Sequence, residues 1–284
     1  MESFNLFIAS INSHLWGMPM LIMLGGAGIC MSIYLKFLPV RKLTLSVSLL
    51  FKGKQQSDTK GSISPFAALM TALSATVGTG NIAGVATAIY LGGPGAVFYM
   101  WMIALAGMSL KYAEAVCAIE YRQVNALGQY VGGPMYYLKN GVGKKFPKIG
   151  SSLAMLFAIF GCLSAIAAGN GLQVHSMADV LHSEFAVPTW ITGSIVAVLI
   201  GLVIIGGVKR IARVASNVIP AMIILYIGCA LAVIWVNIEQ VPHAFSLIFT
   251  HAFTPVAAAG GFAGAAVAAA IRFGVARGLF SNEA

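Results

Sequence analysis

Residues 74–84 read Ser-Ala-Thr-Val-Gly-Thr-Gly-Asn-Ile-Ala-Gly, in the middle of the apolar stretch 65–91. Gly78, Gly80 and Gly84 fall within seven residues, and each glycine costs a helix about 1 kcal/mol relative to alanine. Thr79 and Asn81 place polar side chains among them. A helix interrupted here frees backbone amides, which hold an anion, and backbone carbonyls, which hold a cation. At membrane depth such a break is tolerated only where protein or a water-filled cavity surrounds it. The Gly80/Gly84 spacing also suits a packing face between helices. The run is not a dinucleotide fingerprint, since the third glycine is misplaced and no strand precedes it.

A second polar group is Gly-Asn-Gly-Leu-Gln-Val-His at 169–175. Asn170 and Gln173 stand three apart and share a helix face. Two uncharged amides suit a zwitterionic or polar ligand, or else bond to neighbouring helices. Glycines interrupt a third stretch at 260, 261 and 264. Two glycine-broken helices in corresponding positions point to a transporter built from inverted repeats. Lys111 and Glu114, also three apart, suit a structural or gating pair. The central parts of these stretches lack the carboxylates that a proton relay normally needs, so a sodium ion held by carbonyl and hydroxyl oxygens is the better expectation. The five histidines form no metal-ligand set, and no nucleophile elbow or carboxylate pair suggests an enzyme. Cys30, Cys117, Cys162 and Cys229 lie in apolar runs without CxxC spacing and read as packed thiols.

The elements that must position these groups follow from composition. Of 284 residues, 59% are hydrophobic and 9% charged, with mean hydropathy +0.88; soluble domains carry roughly 25% charged residues. The surface must therefore face lipid. Apolar stretches at about 17–38, 65–91, 94–119, 150–180, 188–208, 214–236 and 255–280 predict seven membrane helices at about 20 residues per crossing. Alternate connections carry the Lys and Arg residues, while the others carry Asp179, Glu184 and Glu239. This asymmetry sets the basic loops in the cytoplasm and the N-terminus outside. It also argues against nucleic acid as the partner of the +9 net charge. The N-terminus shows no signal-peptide pattern. A short interfacial helix is expected within 123–149, and 52–61 reads as a charged, mobile loop.

Residues 71–101, TALSATVGTGNIAGVATAIYLGGPGAVFYMW, resemble a signature of the sodium:alanine (alanine/glycine:cation) symporter family. Residues 269–284, AAIRFGVARGLFSNEA, resemble the start of its second signature, and 169–173 resembles a further family segment. The resemblance runs through essentially the whole chain. It implies an all-α, polytopic, LeuT-like inverted-repeat fold: a first helix at about 17–38, a five-helix repeat at about 65–236, and the start of a second repeat at about 255–284. It implies sodium-driven import of alanine or glycine across the cell membrane, with Na+ as coupling ion and no other cofactor.

By position, the resemblance implies that Thr79, Gly80 and Asn81 face the substrate. Carbonyls near Ser74 and Val77, with Asn81, would hold sodium. Gln173 would contact the amino acid, with Asn170 beside it, and Phe273 or Phe262 would cover its side chain. The family continues beyond the second signature with further helices, so the chain is expected to be a fragment that lacks most of the second repeat. Alone it would bind weakly and not transport; the alternative is an accessory or structural membrane protein.

Overall fold

A computed structural model describes Leu6, Ser10, residues 18–52, 63–126, 128, 130–165, 171–253 and Val275. Nearly all of these are helical. The helices are α1 (Met18–Tyr34), α2 (Leu38–Arg41), α3 (Leu43–Lys52), α4 (Pro65–Thr76), α5 (Thr79–Gly92) and α6 (Gly95–Glu120). After α6 a two-residue antiparallel ribbon pairs β1 (Gln123–Val124) with β2 (Tyr130–Val131). Next come α7 (Pro134–Tyr137), a π-helical turn (Leu138–Val142) and α8 (Gly143–Lys145). The chain continues with α9 (Pro147–Ser164), α10 (Leu172–Phe185), α11 (Thr189–Ile204), α12 (Gly207–Val236) and α13 (Val241–Phe253).

Among the described residues α6, α9 and α12 are each long and apolar enough to cross a membrane, and α4 with α5 qualifies as one broken span. The shorter α1 and α11 are also apolar. The expected seventh stretch, 255–280, lies outside the described residues except Val275. The fourth stretch, read as one span over 150–180, holds α9 up to Ser164 and α10 from Leu172, with 166–170 outside the described residues. The sixth begins earlier than its hydropathy suggests, so Lys209, Arg210 and Arg213 sit in the first turns of α12 and not in a loop. A short helix is present within 123–149, as α7, followed by the π-helical turn and preceded by the unexpected ribbon.

Internal contacts divide the chain into two compact units. One comprises Met1–Leu43, Gly80–Ala113 and Tyr226–Ala284; the other comprises Thr44–Thr79 and Glu114–Leu225. Within the first, small residues let α1 and the first part of α6 touch. A Cβ on Gly28 would lie 3.0 Å from Ala106 Cβ and 3.2 Å from its carbonyl oxygen. Gly25 faces Ile103, and Ser32 Oγ lies 2.9 Å from Ser109 Oγ and 2.8 Å from Gly28 O. Partner numbers rise together along both helices, so α1 and α6 run parallel. Leu21, Ile103 and Ala106 form the apolar core of this contact.

On another side of α6, the Tyr99 hydroxyl donates to Ala252 O at 2.8 Å. Phe98 lies edge-on to Phe249 and Phe253, and Trp101 is near Phe245. Here numbers fall along α13 as they rise along α6, so these two helices are antiparallel.

In the second unit, Ser64 caps α4 by accepting from Ala67 N at 3.2 Å, with Pro65 in the first turn. Met70 packs with Ala215 and Ile219 of α12, flanked by Phe66, Leu73, Met222 and Ile223. Twelve apolar side chains are buried among the described residues, and eight of them are alanine. Large apolar side chains such as Ile22, Ile195, Ile224 and Trp235 stay exposed. In lipid, helices associate by close packing of small residues and not by hiding large ones.

Candidate functional site

The glycine-rich run is broken where its composition suggests, at Val77 and Gly78. Helix α4 ends at Thr76, α5 resumes at Thr79, and the two axes bend by 41°. Val77 adopts an extended conformation (φ −86°, ψ 111°) while its N–H donates to Leu73 O at 2.8 Å. Its own carbonyl therefore turns away from the helical direction. The last carbonyls of any helix lack intrahelical donors, so those of Ser74 and Ala75 point past the C-terminal end of α4. That end carries partial negative charge, and the N-terminal end of α5 carries partial positive charge.

The α5 end already holds an acceptor. Gln173, in the first turn of α10, directs Oε1 at Thr79: the backbone N–H donates at 3.0 Å and the Thr79 hydroxyl donates at 2.9 Å. One side-chain oxygen thus satisfies an orphan amide of the resumed helix from 94 residues away in sequence. Gly78 makes the approach possible. A Cβ at 78 would lie 2.5 Å from Gln173 Nε2 and 2.8 Å from Oε1. Thr79 and Gln173 are both half-buried.

Sequence reading anticipated Thr79 and Gln173 but not that they touch. Gly80 and Asn81 belong to the first turn of α5 and not to the break itself. Ser74 lies in the last turn of α4, where its hydroxyl donates to Thr71 O at 2.6 Å, leaving its carbonyl as the group turned to the break. Asn170, Phe262 and Phe273 lie outside the described residues.

Two features had escaped notice. Gly78 is a seat for Gln173. Thr192 in α11 is 4% exposed, and its hydroxyl has no hydrogen-bond partner. Among the described residues no group of His, Cys, Asp and Glu could hold a metal ion. The groups at the break are carbonyl and hydroxyl oxygens, donors that suit hard cations.

Comparison with known proteins agrees with this architecture. The model of the sodium:alanine symporter family matches residues 1–284. The chain is 47% identical over 277 residues to an uncharacterized transporter of Haemophilus influenzae, covering 97% of the chain and 59% of the relative. It is 45% identical over 277 residues to the sodium/alanine symporter AgcS of Methanococcus maripaludis, covering 98% and 60%. It is 40% identical over 273 residues to the probable sodium/glutamine symporter GlnT of Bacillus subtilis, covering 96% and 55%. The chain thus spans a little over half the length of these relatives. A broken apolar helix, several further apolar helices and a match over the whole length lead to one conclusion: the chain belongs to the sodium:alanine symporter family of multi-pass membrane transporters.

Proposed function

We propose that this chain contributes to sodium-coupled import of a small neutral amino acid, alanine or glycine, with the break between α4 and α5 as the binding centre. The observation that carries this reading is the pair of Thr79 donors gathered on one oxygen of Gln173. An amide oxygen that accepts both a backbone N–H and a hydroxyl at a helix N-terminus occupies the place a carboxylate oxygen favours. The substrate carboxylate would displace Gln173 Oε1, take the Thr79 donors, and receive the Gln173 amide N–H in turn. Gly80 and Asn81, in the first turn of α5, would line the same end.

Sodium would sit on the other side of the break, at the carbonyls of Ser74 and Val77 with the side-chain oxygen of Asn81. A cation beside an anion in a site with little water strengthens the binding of each. Reciprocal coupling of about 1–3 kcal/mol follows from such an arrangement. Asn170 would stand beside Gln173, and Phe262 or Phe273 would cover the substrate side chain. The wider frame we propose is LeuT-like: a first helix near 17–38, a five-helix repeat over 65–236 and a second repeat beginning near 255. Basic loops would face the cytoplasm, as the charge asymmetry of the connections favours.

A larger substrate is the second reading, favoured by the glutamine named in one relative. A pocket distinguishes side chains that differ by a methylene by only about 1–3 kcal/mol.

Labelled alanine uptake into proteoliposomes under an imposed sodium gradient tests the proposal. The chain is assayed beside a form lengthened with the remaining residues of a relative, with potassium as the control ion. Sodium-driven uptake by either form supports the reading. Glutamine taken up in preference to alanine moves it to the second reading. Sodium-independent behaviour of both forms overturns it.

A further inference from the structure

The segment joining α6 to α9 combines three features. Its charge is one-sided: residues 121–149 hold Arg122, Lys139, Lys144, Lys145 and Lys148 and no Asp or Glu. The nearest carboxylates in sequence, Glu114 and Glu120, lie in α6, so the basic residues outnumber them five to two. Its cations rest on rings: Arg122 lies 4.5 Å from the Tyr130 ring centre, Lys144 is 5.9 Å from that of Tyr121, and Lys145 is 5.7 Å from that of Phe146. It also encloses an open cavity of about 470 Å3, walled by Cys117, Tyr121, Tyr137, Val142 and Phe146, with Lys145 at its edge.

Both flanking helices, α6 and α9, are apolar and long enough to cross a membrane. The segment therefore lies where a span meets the headgroup layer, and aromatic and basic side chains favour that layer. We propose that this cavity is a binding site for an anionic phospholipid, its phosphate held by Lys144 and Lys145 and its acyl chain laid against the aromatic wall.

Each part of the site matches one part of that ligand. Lys145 lines the cavity and Lys144 lies over the ring of Tyr121, one of its walls, and basic pockets beside membrane helices suit anionic headgroups. Stacking on Tyr121 and Phe146 limits the ammonium groups before a ligand arrives. Gly141 lies against Tyr121, where a Cβ would come within 3.2 Å of the ring, so the wall holds its shape. Burial, and then the neighbouring Glu114 and Cys117, raise the Tyr137 phenol above its usual range. It stays protonated at neutral pH and can donate to a phosphate oxygen. A free phosphate would use the lysines but not the apolar wall.

Lys209, Arg210 and Arg213 at the start of α12 provide a contrast. They border a cavity of similar size, with Gly206 and Val214 but no aromatic ring.

Native mass spectrometry of the full chain tests the site, with phosphatidylglycerol, phosphatidylcholine or inorganic phosphate added. Selective retention of phosphatidylglycerol is expected. One lysine near an anionic surface is worth about fivefold in retention. The double variant Lys144→Gln/Lys145→Gln should therefore lose about 25-fold, and Lys209→Gln/Arg210→Gln should lose far less at equal charge. Val142→Trp, which fills the cavity and leaves all charges, should also release the lipid. Circular dichroism confirms that each variant keeps its helices. Equal retention of the two lipids, equal loss in both charge variants, or retention of phosphate as strong as that of the lipid would overturn the site.

Discussion

Among the described residues, two contacts between helices that use side-chain hydrogen bonds differ in kind. Ser32 meets Ser109 between two continuous helices, with both hydroxyls almost wholly buried. Gln173 meets Thr79 at the interrupted start of α5, where both partners are half-buried and one of the donors is backbone. The serine pair joins side chains whose helices satisfy their own backbones, so nothing else can compete for its place. The glutamine satisfies donors that the break leaves free, and in the proposed site a ligand with a better acceptor would displace it. Small residues permit both approaches, Gly28 in one and Gly78 in the other. The first contact builds the fold; the second is the one we propose a ligand exchanges.

The largest expected effect separates these roles. Gln173→Glu keeps the acceptor that Thr79 needs and adds a negative charge, and hydrogen bonds to ionised groups are roughly twice as strong as neutral ones. The break should remain intact while a substrate carboxylate is repelled. Alanine binding or sodium-driven uptake should fall by about 100-fold, with thermal stability unchanged or raised. Unaltered alanine binding would remove Gln173 from the proposed site.

Gly28→Val should do the reverse. Its branched side chain enters a contact already closed by Ala106, and overpacking of this kind costs about 1–3 kcal/mol. Thermal unfolding in detergent should shift downward, while any ligand response of the folded fraction persists. The smallest effect is expected for Ser109→Ala. Interhelical hydrogen bonds in membranes average about 0.6 kcal/mol in double-mutant cycles. A loss far above that, measured by the same unfolding assay, would mean that the serine pair carries more than packing.

The broken helix was legible because glycine density and two polar side chains at mid-span conflict with a continuous apolar helix. Its exact place was less so. Glycine content marked the run from Gly78 to Gly84 as a whole, yet the backbone leaves the helix at Val77 and returns at Thr79, since the first helical turn tolerates residues that the interior does not. Periodicity assigns Gln173 to a face but cannot name a partner 94 residues away.

Helix α13 was not expected, because residues 241–253 fall between the sixth and seventh apolar stretches and include Pro242, His243 and His251. Proline is compatible with a first turn, however, and the remaining apolar residues face α6. The early start of α12 was missed for a related reason. Three basic residues read as a loop by hydropathy, although Lys and Arg are good helix formers.

The parallel pairing of α1 with α6 bears on biosynthesis. Ser32 and Ser109 are separated by 77 residues. At typical elongation rates of about 5–20 residues per second, the ribosome needs roughly 4–15 s to deliver Ser109 after Ser32. During that interval the glycine-lined face of α1 has only lipid, or the insertion machinery, for company. Helix α1 thus waits for its partner, and the nascent protein must shelter a short, glycine-rich segment until the chain catches up.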